Sequence, residues 1–184
     1  MIEIRLHGRG GQGAKTAANF LAQASIEQGK YVQSFPEYGP ERAGAPMKAY
    51  VRISDEKIDT YAPVVSPDIV LVIDPTLVGK IAVSDGLKEN GQLIVNTKEK
   101  PQEVAKKAGF KGTVHTVDAS NISMTLLGMN KPNMPILGAL VKTTGIVSID
   151  ALSELVKHKF IKKIGDKKTQ ANIDAIKKAY DEVM

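Results

Sequence analysis

The opening segment constrains the fold more than any other feature of this chain. Residues 2–7 (Ile-Glu-Ile-Arg-Leu-His) alternate apolar and polar side chains with the period of a β-strand. Gly8-Arg9-Gly10-Gly11-Gln12-Gly13 follows. After it, Ala14, Ala17, Ala18, Leu21, Ala22 and Ile26 recur on one face of a helix spanning about residues 14–28, and Gly29 stands where helices commonly end. A strand, a tight glycine turn and a helix form the first crossover of an α/β sheet, whose turn faces the crevice where such sheets hold ligands.

The rest of the chain continues the alternation. Residues 31–35 read as a second strand, and residues 47–54 as a third with one wet face, paired with a short strand near Lys57 and Ile58. The unbroken run Ile69-Val70-Leu71-Val72-Ile73 suits a strand covered on both faces. Asp74-Pro75 ends it, with Asp74 capping a helix expected over much of residues 76–88. Strand 93–95, helix 101–108 and strand 113–118 come next, then helices over 119–128, 135–144, 148–158 and 169–183, with Ser148 and Thr169 as N-caps. This pattern predicts an α/β fold: a Rossmann-like three-layer α/β/α arrangement around a mostly parallel sheet, with a helical C-terminal extension. At 184 residues the chain suits one domain, an α/β core over 1–118 and a mainly helical part over 119–184 that is free to pack on a neighbour.

Composition removes several function classes. The chain has no cysteine, which excludes disulfides and any cysteine-ligated zinc or iron–sulfur site within it. Its histidines, His7, His115 and His158, have no metal-ligand spacing, and His7 reads as a hydrogen-bonded structural residue. No apolar run approaches the roughly 20 residues of a membrane span, and the first residues read as a strand rather than an export signal, so the cytoplasm is the expected location. The net charge of +5 is concentrated in Lys157, Lys159, Lys162, Lys163, Lys167 and Lys168. These read as a solvated helix face, since no aromatic side chains are interleaved for nucleic-acid binding.

Three readings of the glycine turn remain open. As G-x-G-x-x-G it offers backbone N–H groups and a helix N-terminus to a phosphate, with Arg9 and Lys15 adding full charges. A dinucleotide site also needs an acid after the second strand, and Glu37 stands there beside Pro36 and Gly39-Pro40. A triphosphatase loop is one residue away: in Gly8 to Thr16 the extra Ala14 turns Lys15 by about 100°, although Asp74 could imitate a magnesium-assisting acid. The third reading is a turn that only packs or meets another chain. Elsewhere, Asn133 reads as an N-cap before Pro135, and Met124, Met129 and Met134 as packing residues.

Three separated blocks carry a resemblance to a known family. His7 to Ala14, Ser34 to Pro46 (Ser-Phe-Pro-Glu-Tyr-Gly-Pro-Glu-Arg-Ala-Gly-Ala-Pro) and Asn133 to Leu140, with the helical tail Asn172 to Tyr180, resemble the gamma subunit of the 2-oxoacid:ferredoxin oxidoreductases, in its pyruvate-acting branch. The resemblance implies a complex that interconverts pyruvate plus coenzyme A (CoA) and acetyl-CoA plus carbon dioxide, with ferredoxin as electron carrier. It implies thiamine diphosphate and [4Fe-4S] clusters in alpha, beta and delta partner subunits, and the missing cysteines agree with that division. This chain would not be catalytic alone; it would help dock CoA and complete the active site. The residues assigned to CoA are Gly8, Arg9, Gly10, Gly11, Gln12, Gly13 and Lys15 at the pyrophosphate, with Arg42 and the small residues Ala43 and Gly44 of the second loop. Glu37 and Glu41 would orient Arg42 or meet the ribose or adenine. The rival from another class is a stand-alone P-loop-like nucleotide-binding ATPase or switch protein.

Overall fold

In the computed structural model, which describes residues 1–37 and 44–184, one six-stranded sheet organises the chain. Its strands are β1 (Ile2–Arg9), β2 (Tyr31–Glu37), β3 (Pro46–Ser54), β4 (Ile69–Val72), β5 (Gln92–Asn96) and β6 (Thr113–Val117), in the order β2-β3-β1-β4-β5-β6. β1, β4, β5 and β6 run parallel, while β3 is antiparallel to both β1 and β2. With both of its edges hydrogen-bonded, β3 has no room for the partner expected near Lys57 and Ile58, which lie in an irregular segment.

The helices are α1 (Ala14–Glu27), α2 (Pro101–Ala108), α3 (Ala119–Leu127), α4 (Pro135–Thr144), α5 (Ile149–Ile164) and α6 (Asp166–Glu182). Strand parity divides the core. Ile4, Leu6, Val51, Ile69, Leu71 and Ile94 point to one face, where α1 and α3 to α6 bury them under Leu21, Leu137, Leu140, Leu155 and Ile176. Val70, Val72, Leu93 and Val95 point to the other, under Leu77, Val83, Leu87 and Val104. This is why β4 reads as unbroken apolar sequence: both its faces are dry. The C-terminal helices pack on the chain's own sheet rather than waiting for a neighbour. The last residue also covers part of an open edge, since Met184 exchanges both backbone hydrogen bonds with Thr116 of β6, at 2.9 and 3.1 Å.

Several local expectations need correction. Residues 76–88 are not helical beyond a 3-10 turn at Pro75–Leu77. Gly86 (φ 68°) explains part of this, because an added Cβ there would lie 2.0 Å from the Val65 carbonyl oxygen. Arg5 fastens the same segment by donating from Nη2 to the carbonyls of Val83 and Asp85. Thr169 lies inside α6, donating its hydroxyl to the Gly165 carbonyl at 2.8 Å, and Gly165 is the N-cap. Ser148 does cap α5, accepting from the Ala151 amide.

α4 and α6 meet backbone to backbone at Gly138, where an added Cβ would stand 2.0 Å from the Ile176 carbonyl oxygen. Gly138→Ala should therefore lower unfolding free energy by about 3 kcal/mol or more, read as the urea midpoint of the purified chain. His7, 1% exposed, accepts from Arg5 Nε at its Nε2 (2.9 Å), while its Nδ1 has no partner among the described residues. Burial, then the charges of Arg5 and Lys48, push its pKa down to about 3. Between about pH 6.5 and pH 3 the unfolded chain holds a proton at this site that the folded chain refuses, so stability falls as pH falls through that window. Between pH 7 and pH 5 this loss should reach roughly 1–2 kcal/mol, and His7→Gln should flatten the slope by that amount in paired urea titrations.

Candidate functional site

The segment after β1 enters α1 on one face of the sheet, and the segment after β4 crosses to the other. The two connections part at the carboxyl ends of these neighbouring strands, where open α/β sheets place ligands. A crevice of about 1210 Å³ opens there. Its lining includes Gly11, Gln12, Gly13 and Thr16, then Ile73 to Thr76 with Asn96 and Ser120, and residues 129–134. Phe160, Lys163, Ile164, Lys167 and Lys168, at the junction of α5 and α6, also line it.

Asp74 builds the glycine turn. Its Oδ1 accepts from the Thr76 amide (2.9 Å) and hydroxyl (2.7 Å), and its Oδ2 from Gln12 Nε2 (2.7 Å) and Arg9 Nε (2.9 Å). Burial would raise its pKa, but the hydrogen bonds from Thr76 and Gln12 and the charge of Arg9 together hold it below the usual carboxylate range. Gln12 also accepts from the Arg9 amide at 2.8 Å, closing the turn on itself. Gly11 and Gly13 have φ of 90° and 83°, in the left-handed region where a side chain is strained. Gly13 is the N-cap of α1 and supplies no side-chain cap, so the first amides of that helix have no side-chain acceptor among the described residues.

The expected site residues separate on this geometry. Gly11, Gln12 and Gly13 line the crevice. Gly8 is buried behind it, where an added Cβ would lie 3.4 Å from that of Ala14, and the Gly10 amide donates to Ala45. Arg9 is not a free cation: besides Asp74 it donates to the Gly44 carbonyl (3.1 Å) and to Thr76 Oγ1 (3.0 Å), tying three loops together. Lys15 is exposed outside the crevice lining, because the extra Ala14 turns it away. Glu37 faces the opposite side of the sheet, accepting from Tyr50 and pairing with Lys48 at 3.7 Å. Gly44 ends the second loop with φ 79°, whereas Glu41, Arg42 and Ala43 lie outside the described residues.

Asn133 is not the N-cap of α4; Met134 is. Asn133 is 9% exposed as a residue, lines the crevice, and its side chain makes no hydrogen bond among the described residues. It rests on Gly13, where an added Cβ would stand 2.6 Å from Asn133 Nδ2. Gly13 is thus required twice, by its φ and by this approach. Asn96, 1% exposed, joins the ends of β4 and β5 to α3 by donating to the Ile73 carbonyl (2.8 Å) and Ser120 Oγ (2.9 Å) and accepting from the Ser120 amide (3.0 Å). No sequence motif marked Asn96 or Ser120; only the fold brings them together. Met134 is buried as expected, but Met124 and Met129 are about half exposed, and Met129 lies with Leu126 and Leu127 on the apolar wall. Of the lysine run, Lys163, Lys167 and Lys168 line the crevice, so that run is more than a solvated face. The site carries unpartnered amide donors, cations and apolar walls. These suit holding a long anionic molecule rather than reacting with one.

Comparison with known proteins establishes the family. The chain is 49% identical to the pyruvate synthase subunit PorC of Thermotoga maritima over 182 residues, covering 99% of this chain and 94% of that protein. It is 47% identical to the pyruvate/ketoisovalerate oxidoreductases common subunit gamma of Thermococcus litoralis, with 97% of each chain covered. Its fold superposes on the crystal structure of the Thermotoga maritima pyruvate oxidoreductase subunit PORC with a TM-score of 0.90 and 46% identity, covering 100% of this chain and 97% of that one. The family model described as pyruvate ferredoxin/flavodoxin oxidoreductase matches residues 3–182, and the chain belongs to that family.

Proposed function

We propose that this chain is the gamma subunit of a cytoplasmic, multi-subunit pyruvate:ferredoxin oxidoreductase, and that its crevice docks CoA for the reaction run by its partners. The observation that carries the docking role is the Asn133 carboxamide, which lines the crevice, makes no hydrogen bond among the described residues, and rests against Gly13 at the start of α1. A helix N-terminus bears roughly half a positive charge and presents several free N–H groups, which a pyrophosphate can accept from. Asn133 adds a side-chain donor, and Leu126, Leu127 and Met129 offer a dry wall for the pantetheine arm.

The roles of the named residues follow from this geometry. Gly11 and Gly13 let the phosphates approach the backbone. Gln12, Arg9 and Asp74 hold the turn open instead of touching the ligand. The chain has no cysteine to ligate a cluster, so thiamine diphosphate and [4Fe-4S] clusters belong in the alpha, beta and delta subunits, through which ferredoxin is reduced. In the cytoplasmic reading it fits that no helix among the described residues is long and apolar enough to cross a membrane. The ATPase alternative loses its two supports, because Asp74 already accepts four hydrogen bonds and Lys15 stands outside the crevice.

Affinity capture of the tagged chain from its source cells should bring down larger thiamine- and cluster-bearing chains with pyruvate-dependent ferredoxin reduction. Recovery of the chain alone, with no such activity in any fraction that holds it, would overturn the subunit assignment. In the assembled complex, Asn133→Ala should raise the KM for CoA by roughly three- to tenfold, as expected for one lost hydrogen bond to a charged group. CoA-independent exchange of carbon dioxide into pyruvate should stay within about twofold of the parent.

A further inference from the structure

The two edges of the sheet are closed in different ways. At one edge β2 carries Pro36, which has no N–H to offer a neighbour, and the charged Glu37, and both blunt an edge against further pairing. At the other edge β6 reads Thr-Val-His-Thr-Val, with no proline, aspartate, glutamate, lysine or arginine, and β-branched at every residue but His115. Such a segment is a ready template for another strand. β5 pairs with one side of it only. The backbone groups of Thr116 face the open side, where they meet Met184, and by the strand period of two those of Val114 face it as well.

The tail of α6 occupies that open side. Val183 leaves the helix in an extended conformation (φ −64°, ψ 133°) and packs against the main core. Met184 then lies along β6 as a one-residue strand. Its N–H donates to the Thr116 carbonyl at 2.9 Å, and its carbonyl accepts from the Thr116 amide at 3.1 Å. This exchange of both bonds between two residues is the hydrogen-bonded pair of an antiparallel ladder. His115 Nδ1 lies 3.2 Å from the same Met184 oxygen. The Met184 residue stays 53% exposed, so its backbone and not its side chain makes the closure.

We propose that Val183 and Met184 form an edge guard over a self-association surface: with the tail displaced, β6 pairs antiparallel with β6 of a second copy. The edge itself names this occupant. A two-fold axis presents the same donors and acceptors from both chains, so β6 is its own complement. The edge already takes one antiparallel residue from Met184, and β6 holds no acidic or lysine side chain to repel its copy.

The test deletes residues 183–184 from the otherwise full chain, and follows mass by sedimentation and single amides by hydrogen exchange. The shortened chain should gain mass with concentration, from one copy toward two, beyond anything the parent does. At low concentration its Thr116 amide should exchange roughly tenfold faster than in the parent, as for one lost hydrogen bond. At high concentration its Val114 amide, open in the parent, should become protected. Met184→Ala keeps the backbone pair and should leave both readouts at the parent's values. Thr113→Lys, at an exposed position of β6, should return the shortened chain to a single copy by setting like charges across the joint. A shortened chain that stays single, or that associates with Val114 unprotected, overturns the proposal. So does association that Thr113→Lys leaves intact, or a Met184→Ala chain that behaves like the deletion. Val183→Gly loosens the tail without removing a residue, and should move both readouts the same way by less. It decides the matter if the shortened chain does not fold, parent-like values then counting against the guard.

Discussion

The candidate site depends on one buried carboxylate. Asp74 stands where β4 ends, at the parting of the two crossovers, and its four hydrogen bonds reach the glycine turn, Arg9 and the 3-10 turn after Pro75. Through Arg9 it also reaches the second loop at Gly44. A carboxylate so buried is tolerated only when its lone pairs are filled, and here the groups that fill them come from separate segments of the chain. The fold therefore spends this anion on architecture. Arg9 is neutralised in the process, and what remains at the start of α1 is backbone: amides that no side chain among the described residues caps.

Much of this was legible in the sequence where the information is local. The glycine turn, α1 and α2 follow from spacing within a dozen residues, and β4 from its unbroken apolar run. The three-block resemblance to the gamma subunit family carried the family membership. Contacts between distant residues were not legible. Asn133 meets Gly13 across most of the chain, and nothing near either residue announces that approach. Asn133 before Pro135 imitates an N-cap, and the local pattern suggested a helix over 76–88, where Gly86 has to pass within reach of the Val65 carbonyl. Glu37 failed for a related reason: its place after β2 suits a ribose acid only if β2 adjoins β1 in a parallel sheet, and here β3 lies between them.

The division of labour also has a physical shape. The sheet gives one face to a large apolar core shared with α1 and α3 to α6, and the other to a thinner layer of α2 and irregular chain. On that thinner side the strands β1 to β3 bury charged groups, including Arg52 at 2% exposure, paired with Glu3 at 2.8 Å and stacked over Phe35 at 5.6 Å. These arginines fasten irregular segments by their carbonyls, as Arg5 does at Val83 and Asp85 and Arg52 at Ala62. Ordinary strand and helix ladders could not hold such segments, so side-chain donors replace them.

The meeting of α4 with α6 at Gly138 has a mechanical outcome. Asn133 precedes α4, and Lys167 and Lys168 stand in the first turn of α6, so two parts of the crevice lining hang from one closely packed pair of helices. Their separation is set when the protein folds and has little slack afterwards. Any flexible molecule held in the crevice would surrender its own freedom on entering, while the walls would surrender almost none of theirs.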